Sequence, residues 1–165
     1  MSTEALCLRA EKDGDADFLK AVYFSTREDL LQLGLSLEML SSLIDMQFSA
    51  QRRGYLSRYP ASENFIVEKD GEPIGFLVKN RGEMEIRLVH IALVPEERGK
   101  GHGRAIVENL QKEAAMASRP LSLSVDPRND IAMNLYLSLG FRIENRGEAN
   151  IEMAWRAETN AKHLK

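Results

Sequence analysis

The chain has 165 residues, 44% hydrophobic and 28% charged, a size and balance that fit one folded domain and exclude a collagen-like or disordered polymer. Lys plus Arg number 22 against 25 Asp plus Glu, for a formal net charge of −3, so no general attraction to nucleic acid or to an anionic membrane is expected. No apolar run approaches the roughly 18 residues that a membrane-spanning helix needs.

The N-terminal stretch Met1 to Ala10 carries Glu4 and Arg9 and lacks the apolar core of a signal peptide, so secretion is not expected. Residues 5–9 read as a short strand. Cys7 is the single cysteine; it cannot form an internal disulfide and fits a reducing, cytoplasmic setting. Its place in the apolar run Ala5-Leu6-Cys7-Leu8 predicts a buried structural thiol. Asp13 or Asp15 can cap a helix whose apolar face includes Phe18, Leu19 and Val22. Ser36 is the expected N-cap of a longer helix, with Leu37, Leu40, Ile44 and Phe48 on one buried stripe and an end near Arg53-Gly54. Pro60 marks a further break.

Strands follow. Phe65 to Lys69 and Pro73 to Val78 flank Asp70-Gly71, a hairpin turn signal, and Arg81-Gly82 marks another turn. Glu85 to Val94 reads as a long strand closed by Pro95. Gly101 to Ala117 is an expected helix, with Ile106, Leu110 and Ala114 stacked at four-residue spacing. Leu121 to Val125 is a buried strand after Pro120. Asp130 to Leu139 is a helix ended by Gly140, and Phe141 to Glu144 with Ile151 to Trp155 form a final hairpin, Gly147 lying in its turn. The element order predicts a mixed α/β (α+β) fold around one sheet. A single domain is expected over 1–156, followed by a polar tail over 157–165.

The most informative stretch is Val94-Pro95-Glu96-Glu97-Arg98-Gly99-Lys100-Gly101-His102-Gly103-Arg104. A strand ends, glycines recur at every second position, and a helix begins. Glycine lets backbone approach a ligand closely because no Cβ intervenes. Free N–H groups and the helix dipole at such a start make an anion site. Arg98, Lys100 and Arg104 add positive charge within one turn, so a phosphate site is expected, a pyrophosphate being the natural guess. The last glycine is followed by Arg104-Ala105 rather than Lys-Ser or Lys-Thr, which disfavours a P-loop. The spacing Gly99, Gly101, Gly103 also departs from the G-x-G-x-x-G dinucleotide fingerprint. The alternative at this level is a helix start that needs glycine only for tight packing.

Arg98-Gly99-Lys100-Gly101-His102-Gly103 resembles the R/Q-x-x-G-x-G/A signature of the GNAT superfamily, the acetyl-CoA-dependent N-acyltransferases. Ile91-Ala92-Leu93-Val94-Pro95 looks like that family's fourth strand leading into the turn. Asn129-Asp130-Ile131-Ala132-Met133-Asn134-Leu135-Tyr136, followed by Leu139-Gly140-Phe141, is similar to its N-x-x-A-x-x-L-Y…L-G-F segment. The resemblance covers roughly residues 5–156, with the motifs confined to 91–141. It implies a mostly antiparallel twisted sheet of about seven strands with about four helices on both faces.

It also implies roles for residues. Arg98, Gly99, Lys100, Gly101, His102 and Gly103 would hold the pyrophosphate of coenzyme A. The main chain of Ile91, Ala92 and Leu93 would pair with the pantetheine arm, one N–H facing the thioester carbonyl. Asn129 would contact the ligand near the pantetheine; its plain reading is a turn residue after Pro127. Tyr136 matches the tyrosine that protonates the departing thiolate, which a phenol can do. From position alone it belongs to the helical stripe Ala132, Leu135, Tyr136 and Leu139, and a core tyrosine remains the alternative.

The base is less legible. Members that place a glutamate on the fifth strand have it where this chain has Ser124, which cannot act as a base, so the ribosomal-protein branch is not indicated. Other members use a carboxylate or histidine on the fourth strand. Strand parity puts Glu85, Arg87, Val89, Ile91 and Leu93 on one face, and Met84, Ile86, Leu88, His90 and Ala92 on the other. Glu85 is the base candidate, against an Arg87–Glu85 ion pair without a catalytic role. His90 reads as a hydrogen-bonded core histidine. Histidines at 90, 102 and 163 give no metal-ligand spacing, so no metal is expected.

In the family the first two helices and the last hairpin loop shape the acceptor site, here Asp15–Gly54 and roughly Asn145–Asn150. The basic and aromatic run Gln51-Arg52-Arg53-Gly54-Tyr55-Leu56-Ser57-Arg58-Tyr59 could hold a carboxylate or peptide end, or be a solvated helix end. The expected function is acetyl transfer from acetyl-CoA to a primary amine by direct attack. The alternatives are a non-catalytic acyl-CoA sensor and a nucleotide-binding module of another class. A homodimer is compatible with the sequence.

Overall fold

The computed structural model describes residues 5–158. The start of the leader reading and residues 159–165 of the polar tail, with His163, lie outside the described residues. The described chain forms a seven-stranded sheet in the order β1-β2-β3-β4-β5-β7-β6, as the resemblance implied. The strands are β1 (Leu6–Ala10), β2 (Glu63–Lys69), β3 (Glu72–Arg81), β4 (Ile86–Leu93), β5 (Leu121–Val125), β6 (Arg142–Arg146) and β7 (Ile151–Trp155), with α-helices α1 (Ala16–Ser25), α2 (Leu37–Arg58), α3 (His102–Met116) and α4 (Asp130–Ser138). The described residues divide into two compact units, one running up to Asn80 and including Val89–His102, the other made of Arg81–Leu88 and the described chain from Gly103 onward.

In the first unit β1 and β2 pair antiparallel, as do β2 and β3. Asp70 and Gly71 close the second hairpin with φ of 50° and 86°, the two left-handed positions that a type I′ turn demands. Leu19, Val22 and Tyr23 of α1 and Leu40, Ile44 and Phe48 of α2 pack with Ile66, Phe76, Val78 and Ala92. Each of these large aliphatic or aromatic side chains contributes about 1.5–3 kcal/mol on burial, and the Ala92 methyl less. Ser36 caps α2, its Oγ accepting the Met39 N–H at 3.2 Å.

Four expectations are corrected here. Leu37 is 86% exposed; it occupies the first helical position, ahead of the turn where the stripe meets the core. The helix does not stop at Gly54 but runs to Arg58, with Tyr59 as C-cap. A mid-helix glycine costs only about 1 kcal/mol, whereas Pro60 cannot continue the helix. Asp15 precedes α1 without capping it: its carboxylate accepts the Lys12 N–H and both Arg9 NH groups, each at 2.8 Å. Cys7 is exposed, because β1 is an edge strand and alternation turns Leu6 and Leu8 to the other face. Glu28–Leu33 form a 3-10 segment that buries Leu30 and closes on Gly34 at φ 68°; its tight winding has no 3.6-residue periodicity to read.

In the second unit β5 and β7 pair antiparallel, as do β7 and β6. The first residues of β4 run parallel to β5, from Ile86 opposite Leu121 to Leu88 opposite Leu123. Ile106, Leu110 and Ala114 of α3 are buried, as expected, together with Val107. Gly140 takes φ 92° just past α4, satisfying the predicted C′ position.

Candidate active site

The end of β4 is shaped by one glycine. A Cβ on Gly75 of β3 would lie 2.3 Å from the Ala92 carbonyl oxygen and 2.7 Å from the Leu93 side chain, so β3 and β4 approach as only glycine permits. Ala92 is buried, and Ile91 and Leu93 are half-buried. The Leu93 carbonyl accepts the Arg98 Nε–H at 3.0 Å, and the Val94 N–H donates to Ile74 at 2.8 Å.

Pro95–Glu97 then make one 3-10 turn, Arg98 returns to extended backbone, and Gly99 and Gly101 take φ of 74° and 88°. Nothing lies within 4 Å of a Cβ built on either. Their requirement for glycine is therefore conformational, and the space beside them is open. Successive backbone N–H groups in turn conformations of this kind can make an anion-binding concavity. α3 starts at His102, and its first-turn N–H groups have no intrahelical acceptor. Gly103 differs: its nearest neighbour to a built Cβ is Leu135 at 3.9 Å, ordinary contact without a positive φ.

The cations of this turn are more engaged than the sequence suggests. Arg98 spans from Leu93 to the Ser25 hydroxyl at 2.9 Å. Arg104 donates to the Ser138 hydroxyl at 2.7 Å. The Glu97 carboxylate accepts from Lys69 at 2.9 and 3.0 Å, bonds His102 Nε2 at 2.9 Å and sits 3.6 Å from Lys100 Nζ. The Lys69 bond, then burial in the opposite sense, then the His102 bond act on that carboxyl, and the net effect holds it below its ordinary pKa. His102 is 5% exposed, so it fastens the turn from beneath rather than presenting a ring to a ligand. Glu97 and Lys69 escaped the sequence reading; the Pro-Glu-Glu start was visible, but nothing local joins it to a lysine 28 residues earlier.

Asn129 and Tyr136 lie on one element. Asn129 is the N-cap of α4, its Oδ1 accepting the Ala132 N–H at 3.1 Å, so its turn role is real and only its amide NH2 is left to meet a ligand. Tyr136 is 7% exposed, its ring centroid 5.5 Å from that of Phe141. Burial pushes the phenol above its ordinary pKa, keeping it protonated at neutral pH. Among the described residues no fully buried side-chain oxygen or nitrogen lacks a hydrogen-bond partner.

Glu85 precedes β4 instead of opening it, its carbonyl accepting the Gly82 N–H at 2.9 Å. At about 3.3 Å per residue, β4 is about 26 Å long, and Ile91 to Leu93 form its other end. Arg87 pairs not with Glu85 but with Glu152, at 2.7 and 3.0 Å. His90 is hydrogen-bonded as expected but half-buried at the edge of the core: Nδ1 bonds the Tyr55 hydroxyl at 2.8 Å, and the Phe76 ring centroid lies 5.1 Å from its own. Burial lowers His90 to about 4 and raises Tyr55 to about 12, so the pair is neutral. Arg52 is committed to Glu11 in a two-pronged pair at 2.8 and 2.6 Å. It borders a cleft of about 170 Å³ lined by Arg53, Tyr55, Leu56, Ser62 and Asn64. Asn145–Asn150 are exposed around a turn in which Gly147 N–H donates to Asn150 at 2.8 Å. Among the described residues no His, Cys, Asp and Glu cluster could hold a metal, and no helix is long and apolar enough to cross a membrane.

The model of the acetyltransferase (GNAT) family matches residues 34–141, which takes in α2, the glycine turn and all of α4. The chain belongs to the GNAT acetyltransferase family. A curated relative is the peptidyl-lysine N-acetyltransferase YjaB of Escherichia coli (strain K12), 26% identical over 139 residues, 84% of this chain and 73% of that protein. Among solved structures, the PaiA N-acetyltransferase from Thermoplasma acidophilum, in complex with coenzyme A, aligns with a TM-score of 0.69 at 18% identity, over 93% of this chain and 99% of its own. The ribosomal-protein-S18-alanine N-acetyltransferase from Escherichia coli aligns with a TM-score of 0.63 at 20% identity, over 94% and 98%. At these identities the two structures share the GNAT fold with this chain.

Proposed function

We propose that this acetyltransferase takes its acetyl group from acetyl-CoA and delivers it to a primary amine by direct attack. The observation that carries the reading is the pair of left-handed glycines, 99 and 101, set in open space immediately before the start of α3. Acetyl-CoA supplies the activated acetyl thioester. The N–H groups from Gly99 to Gly103 bind its diphosphate, with Lys100 adding charge; Arg98 and His102 hold the loop that presents them. The main chain of Ile91 to Leu93 orients the pantetheine arm, and one N–H there polarises the thioester carbonyl. The Asn129 amide contacts the arm. Tyr136 hands its phenolic proton to the departing sulfur as the C–S bond breaks, and the proton the amine loses on forming the C–N bond passes to water, from which the phenol is reprotonated. Glu85 is not carried forward as the base, because it stands at the opposite end of β4 from Ile91 to Leu93.

The acceptor is a small amine, an amino acid, or an amine of a peptide or protein; the lysine specificity in the YjaB name makes a peptidyl lysine the first to try. A cytoplasmic setting agrees with the acetyl-CoA donor. The test is release of free coenzyme A when acetyl-CoA is mixed with a panel of amines. Amine-dependent release supports transfer; saturable acetyl-CoA binding with no release for any amine overturns the enzymatic reading in favour of a sensor.

A further inference from the structure

We propose that Glu97 is the positioning residue of the diphosphate-binding turn, acting through its bonds rather than by touching the ligand. This inference rests on the function proposed above and deepens it. A carboxylate one residue before a phosphate loop is electrostatically adverse, since a bound diphosphate would sense its negative charge. Its retention there needs a structural reason, and the geometry supplies one. A Cβ built on Gly99 or Gly101 would meet nothing within 4 Å, so neither position is pinned by a side chain of its own, and glycine has the most conformational freedom to lose.

The loop is instead fastened at its shoulders. Glu97 ties it to the end of β2 through Lys69 at 2.9 Å and to the start of α3 through His102 at 2.9 Å. Arg98 ties it to β4 and α1 through Leu93 and Ser25. Lys69 and Lys100 more than cancel the Glu97 charge, so the shoulder is left net cationic. Groups aimed in advance of binding cost no reorganisation when the ligand arrives. Loss of the Glu97 charge should therefore loosen the N–H array and weaken acetyl-CoA binding while leaving chemistry in the bound complex alone.

The experiment compares the wild-type protein with Glu97→Gln and Lys69→Met by calorimetric titration with acetyl-CoA and by steady-state kinetics with the best amine. Lys69 stands outside the turn, so its variant keeps the test open if Glu97→Gln fails to fold. Each substitution should raise the acetyl-CoA Kd about tenfold, the equivalent of one charge-assisted hydrogen bond. In each, kcat at saturating acetyl-CoA and the KM for the amine should hold within about twofold, since neither reports ground-state binding of the donor. The double variant should bind more tightly than the two single losses multiplied together would predict, because both substitutions remove the same Glu97–Lys69 bond. Unchanged acetyl-CoA affinity in both variants, or parallel losses of kcat and amine KM with melting temperature, would overturn the positioning role. Failure of the wild-type protein itself to bind acetyl-CoA overturns the function proposed above, a result distinct from either of these.

Discussion

Tyr136 and His90 show how burial assigns opposite duties to two side chains. Burial raises the Tyr136 phenol above its ordinary 10, so its acid form persists across the physiological range and is lost only above that raised value. Removal of the hydroxyl in Tyr136→Phe should lower kcat by about 10²-fold or more and leave the KM for acetyl-CoA nearly unchanged. An undiminished kcat from pH 7 to 10 would remove Tyr136 from the acid role. Burial acts on His90 in the other direction, to about 4 against an ordinary 6.5. Below pH 6.5 the unfolded chain takes up a proton that the folded chain refuses, so stability is complete above pH 6.5 and is lost as pH falls toward 4. The loss is on the order of 3 kcal/mol at most. Asp15 and Asp126, each lowered from 3.8 to about 2, release their contribution only below pH 4, outside that window. Urea unfolding of His90→Gln should therefore show a flatter stability profile between pH 6.5 and 4 than the wild-type protein; identical slopes would rule out His90 as the group responsible.

The glycines separate what an element needs for folding from what it needs for a ligand. Gly75→Ala drives a Cβ into the Ala92 carbonyl, backbone that cannot step aside. It should cost more than about 2 kcal/mol, measured as a drop in the urea midpoint. Gly103→Ala meets only Leu135 at 3.9 Å, within α3. It should hold or raise stability by up to about 1 kcal/mol through helix propensity, yet weaken acetyl-CoA binding several-fold if ligand approaches that backbone. Equal affinity in Gly103→Ala would show that the ligand does not approach the backbone at the third glycine of the motif. Much of this was legible. Alternation, turn chemistry and capping exposed the strands, the Asp70-Gly71 hairpin, the Ser36 cap and the Gly140 exit, because each is written within a few residues. The motif stretch 91–141 placed the glycine turn and α4. What was hidden depends on distant partners or on edges: the Glu97–Lys69 bond joins residues 28 apart, the Tyr55–His90 bond 35 apart, and Cys7 is exposed because β1 has no outer neighbour.

At the scale of the molecule, the net charge of −3 decides how an anionic cosubstrate can be captured. An acidic chain offers no long-range steering to a polyphosphate, so the affinity must arise at short range, from oriented N–H groups and the pantetheine contacts. Salt screens separated charges strongly beyond about 8–10 Å but screens direct hydrogen bonds far less. Raising NaCl about tenfold, from roughly 50 to roughly 500 mM, should therefore weaken acetyl-CoA binding by less than about tenfold, the slope of a site that neutralises about one phosphate charge. At acetyl-CoA concentrations near 100 times Kd, mass action should stabilise the fold by about 2.7 kcal/mol, a rise in melting temperature of roughly 5–10 °C for a chain of this size. ATP and NAD at the same concentration should produce little of that rise, because they share the diphosphate but lack the arm that Ile91 to Leu93 orient. Equal stabilisation by all three would mean that the turn reads phosphate alone; a steep salt slope would mean that Lys100 and its neighbouring cations, not the backbone, supply the grip.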